Sequence, residues 1–324
     1  MAKFLLPISL DHDLNWRWSS LVLCALIALP FVANAIGESF YIALATRILI
    51  FALAATSLNL ILGFGGMVSF GHAAFLGVGA YAVAILAQMG LTDAWLVWPV
   101  AMLVAGLFAF LIGAVSLRTQ GVYFIMITLA FAQMVYYLVV SVKTYGGYDG
   151  MPLLTRSRIG MWDMSTDTNF YYVTLAVCVV TWVLIARLLN ARFGHVLQAI
   201  RDNEVRMQSL GYAVFRHKLC AFVLSGALAG LAGALLANQS GFVSPAMMQW
   251  SQSGMLMMMV ILGGVGHLYG GVWGAIVFLL LEETLSHFTI HWQLGLGALL
   301  LAVVLLAPNG LTSVFKHLRK EPSA

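Results

Sequence analysis

The chain has 324 residues, of which 62% are hydrophobic and only 9% charged, with a formal net charge of +4. A soluble globule of this size carries about 25% charged residues, so the composition excludes one and marks an integral membrane protein. It also argues against a nucleic-acid binder, because the basic residues gather in a central polar stretch and in the tail at Lys316, Arg319 and Lys320, with no interleaved aromatics.

Long apolar runs with few charges suit an all-α polytopic transmembrane bundle, since each helix satisfies its own backbone hydrogen bonds in lipid. The alternating pattern of barrel strands is absent. Cys24, Cys178 and Cys220 lie in or beside apolar runs and read as small buried hydrophobes instead of a disulfide framework. Asp11, His12 and Asp13 stand where a secretion signal would have its apolar core, so the first span is expected to be retained.

In chain order, apolar runs of about 17 to 25 residues place spans at 20–36, loosened by Pro30, and at 40–62, with a tight turn at Gly37 and Glu38 between them. GFGGMVSFGH at 63–72 then interrupts the pattern with glycines at 63, 65, 66 and 71. Further spans follow at 73–89, 95–117, 121–142 and 170–189, with the longest outer loop at 143–169.

The stretch 190–218 is polar and carries Arg192, Arg201, Arg206, Arg216 and Lys218, which by the positive-inside tendency puts it in the cytoplasm. A helix over about 195–210 would set Val196, Ile200, Met207 and Leu210 on one face, and it either docks a partner or lies on the headgroups. The seventh span, 219–237, is rich in Gly and Ala (SGALAGLAGALL), a composition that lets helices approach closely. Runs at 254–266, 270–285 and 294–306 complete about ten spans, with eight or nine as alternatives. Ten puts both termini, the Arg118 turn and the central loop on the inner side.

Two glycine-rich breaks invite comparison, GFGGMVSFGHAAFLGVGA from Gly63 and LGGVGHLYGGVWGA from Leu262, and GFVS at 241–244 echoes the first. Such interruptions free backbone groups that lipid cannot satisfy, so they face protein or a hydrated path, or else serve helix packing through small residues.

No GxxxxGK[ST] loop, GxSxG elbow or HExxH helix is present, so the chain shows no ATPase or hydrolase site of those kinds. His287 and His291, just after Glu282 and Glu283, have a formal metal-ligand spacing but lack the further ligand a site needs; no metal is expected. Arg47, Glu282 and Glu283 are the few charges near span interiors. The deeper polar groups are neutral: Thr56, Ser57, Asn59, Ser69, His72, Thr128 and Gln133. Together they suit a hydrated path; taken singly, each suits an interhelical hydrogen bond.

Several stretches carry a resemblance: SLNLILGFGGMVSFGHAAFLGVGAYAVAIL from Ser57, YFIMITLAFAQM from Tyr123, YGGYDG from Tyr145, GHVLQAIRDNEVRMQSLGYAVFRHKLCAFVLSGALAGLAGAL from Gly194, and APNGL from Ala307. Together they resemble the membrane-spanning permease of branched-chain amino acid ABC importers, LivM type, over nearly the whole chain after about residue 40. The resemblance implies a single permease domain over 1–324, similar to the type II importer fold. Its parts would be a cytoplasmic segment at 1–18, a coupling loop at 190–217 and a cytoplasmic tail at 308–324.

It further implies a translocation path lined by Asn59, Gly65, Gly66, Ser69, His72, Thr128 and Gln133. By similarity to the EAA-type loop, Ala199, Arg201, Asp202, Glu204 and Gly211 would contact an ATPase. The implied partners are a second permease of the LivH type, two ATPase subunits (LivG and LivF type) that bind ATP and Mg, a periplasmic binding protein and membrane lipid. No cofactor or metal belongs to this chain, which is then not an enzyme but a transport subunit of the bacterial inner membrane. The solute would be leucine, isoleucine and valine, with urea, amides or aromatic acids as alternatives within the class. A stand-alone secondary carrier of small polar solutes is the reading from another class.

Overall fold

A computed structural model describes residues 16–160, 164–288 and 291–306. The first fifteen residues of the expected N-terminal segment, the tail 308–324 and the APNGL stretch lie outside the described residues. Twelve α-helices follow in order among those described: α1 (Trp16–Ile36), α2 (Phe40–Asn59), α3 (His72–Gln88), α4 (Ala94–Ser116), α5 (Val122–Ser141), α6 (Asp167–Asn190), α7 (Arg192–Asp202), α8 (Glu204–Ser209), α9 (Val214–Ser240), α10 (Trp250–Gly263), α11 (Gly270–Phe288) and α12 (Trp292–Leu306). Among the described residues six helical stretches are long and apolar enough to cross a membrane: Phe40–Phe64, Ala94–Ser116, Val122–Ser141, Asp167–Asn190, Val214–Ser240 and Gly270–Phe288. The apolar segments Val22–Asn34, His72–Gln88, Trp250–Gly263 and Trp292–Val303 are shorter.

Two of the short helices have a common cause. At about 1.5 Å per residue, the fourteen residues of α10 span only about 21 Å. Irregular chain precedes both α10 and α3: residues 65–71 lead into α3, and a strand and a 3₁₀ turn, Pro245–Met248, lead into α10. α1 continues past Pro30, which lies inside the helix.

The core is built around α2 and α9, with α9 packed on α3 and α4, and α2 on α6, α9 and α11. Lipid is as apolar as leucine, so close van der Waals contact, not water exclusion, holds such helices together. The small residues of α9 provide it. Gly230 faces Ala105 of α4 and approaches Gly79 of α3, Gly226 faces Ala109, and a Cβ on Gly233 would run into the carbonyl oxygen of Leu76. α5 is the contrast: Met126, Met134, Tyr137 and Leu138 are exposed along its outer side.

At the end of the bundle away from the polar loop, Met151–Pro152 (β1) pairs antiparallel with Phe242–Val243 (β2), a small strand pair that the all-helical reading did not include. Arg156 organises the long loop: it donates to the carbonyls of Asn238, Met164 and Ser165 and pairs with Asp167 at 2.7 Å. Arg47 of α2 and Glu282 of α11 form an ion pair at 3.2 Å, with the Arg47 guanidinium over the Phe51 ring. His287 pairs with Glu283 at 3.6 Å. Of the three cysteines only Cys178 is buried; Cys24 and Cys220 face the outside of the bundle, because each stands on the outward side of its apolar helix.

Candidate functional site

α2 does not end in an ordinary cap. From Leu60 to Phe64 its hydrogen bonds widen into a π turn, and the Met67 N–H then reaches back to the Ile61 carbonyl at 2.8 Å. Gly66, at φ +68°, supplies the left-handed conformation that turns the chain away. π turns of this kind occur often at functional sites.

Residues 65–71 then run without helix through the bundle interior. Their freed backbone groups need partners inside the protein. The Phe70 N–H donates to Thr128 Oγ1 of α5 (3.3 Å), the Gly71 N–H to Ser69 Oγ (3.2 Å), and the Ala73 N–H, in the first turn of α3, to Ser253 Oγ of α10 (2.9 Å).

Three segments meet where α2 ends. Asn59 donates through Nδ2 to the His267 carbonyl (2.8 Å) and accepts at Oδ1 from the Gly266 N–H (3.0 Å), so one buried amide ties the first glycine break to the second. A Cβ on Gly63 would collide with Asn59 Oδ1 and the Gly266 nitrogen. From the polar loop, Arg201 Nη1 donates to the Gly63 carbonyl at 2.6 Å, and the Arg201 side chain lies over Gly66, where a Cβ would come within 2.8 Å of Cγ. Arg201 also donates to its neighbour Asp202, through Nε at 3.3 Å and Nη2 at 3.2 Å. The loop is therefore bonded to the backbone of the break itself.

One turn inward lies a neutral polar cluster. His72 Nε2 is 3.0 Å from Ser57 Oγ and 3.4 Å from Ser225 Oγ, and Ser225 donates to the Ser57 carbonyl. All three side chains are buried, at the junction of α2, α3 and α9. Such a cluster can hold or pass a polar group by hydrogen bonding without a change of charge.

Of the residues expected along a path, Asn59, Ser69, His72 and Thr128 are buried around the break, while Gly66 is exposed beside them. Gly65 lies within the turn, where a Cβ would press on Ile61 O and Met67. Gln133 is not brought to this cluster; it sits farther along α5 as a half-buried side chain.

The polar loop folds as two helices instead of the expected continuous one over 195–210. Asn203 adopts extended backbone angles (φ −157°, ψ 98°), and its side chain caps α8 by accepting from the Arg206 N–H at 2.9 Å. An Asn side chain competes with the helix for backbone donors, which favours a break and a new cap. On the inner face Ile200, Met207 and Val214 pack together with Val196 and Ala199. Leu210, expected on that face, is 65% exposed; it lies just past the last residue of α8.

Glu204 turns back into the protein, accepting from Lys218 Nζ at 2.6 Å and Gln120 Nε2 at 3.2 Å. Asp202, Val205 and Gly211 lie outward, and Gly211 has φ +84° with open space where a Cβ would stand. Sequence reasoning singled out Asn59, His72 and Arg201 for the site but not Ser225, Ser253 or Gln120, and it took Lys218 only as an orienting charge. An isolated serine in a Gly- and Ala-rich helix gives no signal of the partner it meets.

Comparison with known proteins gives a consistent result. The model of the family described as branched-chain amino acid transport system / permease component matches residues 40–307. The high-affinity branched-chain amino acid transport system permease protein LivM of Escherichia coli K12 is 30% identical over 95% of this chain and 78% of its own length, and LivM of Salmonella typhimurium LT2 matches equally. The LivH permease of Salmonella typhimurium is 25% identical over 81% of this chain and 90% of its own. No solved structure matches the chain. With a polytopic helical bundle, an interrupted α2 and a polar loop docked on the interruption, the chain belongs to the family of branched-chain amino acid transport system permease components.

Proposed function

We propose that the chain is one of the two membrane-spanning subunits of an ATP-driven importer in a bacterial inner membrane, with ten spans in its full length. It would pass leucine, isoleucine and valine, or a related small solute, from periplasm to cytoplasm. A LivH-type permease is the second subunit, two ATPases bind ATP and Mg and supply the work, and a periplasmic binding protein delivers the solute. Support for the class comes from the LivM and LivH relatives and the family match.

The single observation that carries the mechanism is the bond from Arg201 to the Gly63 carbonyl. In this reading the outward face of the loop, with Asp202, Val205, Leu210 and Gly211, seats against an ATPase, while Ala199 holds the loop to its own inner cluster. Arg201 carries the movement to the break. Closing of the ATPases pulls α7, α7 pulls Gly63, and residues 63–72 shift between arrangements open to either side, which is alternating access. Asn59 passes the same pull to Gly266, so α2 and α10 move together. Ser69, His72 and Thr128 line the moving segment, and Gln133 lies farther out along the same path.

Uptake by the reconstituted assembly tests the reading. ATP depletion is expected to stop accumulation, and collapse of the proton gradient at constant ATP is expected to leave it. The opposite pattern, or accumulation by this chain alone in liposomes, would make it a secondary carrier and overturn the proposal.

A further inference from the structure

Beside the first glycine break, at the polar-loop end of the bundle, the chain encloses a half-open cavity of about 270 Å³. Drug-sized ligands occupy sites of roughly 300–1,000 Å³, so this one suits a smaller molecule. Its wall is divided by chemistry. One end holds a base, an acid and an amide: Lys218, Glu204 and Gln120. The rest is mainly apolar, with Val68, Leu117, Phe124 and Ile125, but it includes the hydroxyl-bearing Thr119 and backbone at Gly66 and Gly121.

The polar end is partly open: Gln120 is exposed there, while the ion pair beside it is partly buried. The side chains of Lys218 and Glu204 are 15% and 25% exposed, and they neutralise each other at 2.6 Å. Gln120, in the turn between α4 and α5, reaches the same Glu204 oxygen. Gly66 and Gly121, both at positive φ (68° and 61°), line the space without side chains. A paired acid and base offer a small zwitterion two complementary charges at fixed spacing: the ammonium takes the place of Lys218 on the carboxylate, and the carboxylate takes the place of Glu204 on the ammonium. A neutral solute gains nothing from opening the pair, and an ion of single charge leaves one partner bare, which costs free energy in a partly buried site. The apolar walls add a place for an aliphatic or small aromatic side chain.

We infer that this cavity is a cytoplasm-facing binding subsite for a zwitterionic α-amino acid with an aliphatic side chain, held by Lys218 and Glu204 and bounded by Ile125 and Phe124. The inference rests on the importer reading and deepens it: the subsite adjoins residues 66–68, where the moving break would deliver its solute. Because Glu204 begins α8 and Lys218 belongs to α9, an occupant that parts them also pushes on the loop. A site on the release side must let its ligand go, so the affinity is expected near 1 mM and not in the micromolar range.

Equilibrium dialysis of radiolabelled L-leucine against the purified permease–ATPase complex, without binding protein, tests it. Saturable binding is expected. Leucinamide, which lacks the carboxylate, and 4-methylpentanoate, which lacks the ammonium, should compete at least about tenfold more weakly. Lys218→Met and Glu204→Gln should each weaken binding about tenfold. Ile125→Trp, which fills the cavity and leaves the ion pair in place, should abolish it in a complex that elutes as the unaltered one does. If the charge variants fail to assemble, the two analogues on the unaltered complex and the Ile125 variant still decide.

A complex that imports leucine on ATP but shows no saturable binding up to about 10 mM overturns the subsite and leaves the importer reading standing. So does binding that ignores both analogues. If the assembly does not import amino acids at all, both fall together.

Discussion

The turn after α2 and the turn after α10 are both rich in glycine and meet at Asn59, yet they are built to different ends. After α10, glycine brings helices together: a Cβ on Gly263 would strike the Gly270 carbonyl, one on Gly274 would strike the Met259 carbonyl, and one on Gly271 would come within 2.7 Å of the Thr56 nitrogen. That is close packing of α10, α11 and α2. After α2, glycine instead opens the backbone. The π turn and residues 65–71 leave donors and acceptors that α5, α10 and the polar loop must satisfy, through Thr128, Ser253 and Arg201. Similar compositions thus give a clamp in one place and a joint in the other, and what lies opposite each glycine makes the difference.

Substitutions can break that comparison. The largest effect is expected from Gly63→Ala, whose methyl would meet Asn59 Oδ1 and the Gly266 backbone at the point where the two turns touch. Backbone on one side and a fixed amide on the other cannot give way, and overpacking of about 1–3 kcal/mol or more should remove most of the assembled complex. Fluorescence-detected size exclusion reads this directly; a normal peak would mean the turns are not rigidly joined.

Asn59→Ala comes next. It leaves the buried Gly266 N–H and His267 carbonyl without this partner, at about 1–3 kcal/mol for an unmatched group. A lower thermal midpoint of the complex is expected, together with weaker transport. Loss of stability with unchanged turnover per assembled complex would confine Asn59 to a structural part.

Arg201→Ala should spare assembly more than either, because the side chain is 38% exposed, but should uncouple the loop from the break. The expected signature is ATP hydrolysis retained with uptake lost. Arg201→Lys should restore little, since a lysine does not reproduce the guanidinium's simultaneous reach to Gly63 and Asp202. Full uptake in Arg201→Ala would sink the proposed lever.

Gly211→Ala should be mildest for folding, at about 1–2 kcal/mol, because φ +84° penalises a side chain while nothing stands where the methyl would go. A loss of uptake out of proportion to that cost would place Gly211 against a partner.

Much of this was legible from residue order. Six long apolar helices, the interruption at Gly63 and the polar loop are compositional features, because lipid allows long helices and punishes unpaired backbone wherever a helix stops. The break between α7 and α8 was not, since Asn203 sits in a sequence whose apolar spacing fits one helix, and only its side-chain cap reveals the stop. Nor was the inward turn of Glu204, which depends on Lys218 and Gln120 lying across from it.

By itself the sequence determined that this is a helical membrane protein, roughly where its long apolar helices lie, and which family it resembles, since hydropathy and local motifs are properties of neighbouring residues. Tertiary structure alone decided that Arg201 reaches Gly63, that Asn59 joins two turns about two hundred positions apart, and that Ser225 and Ser57 surround His72. Those partners are distant along the chain, and their pairing follows from how closely helices without side-chain bulk can approach, which no single segment encodes.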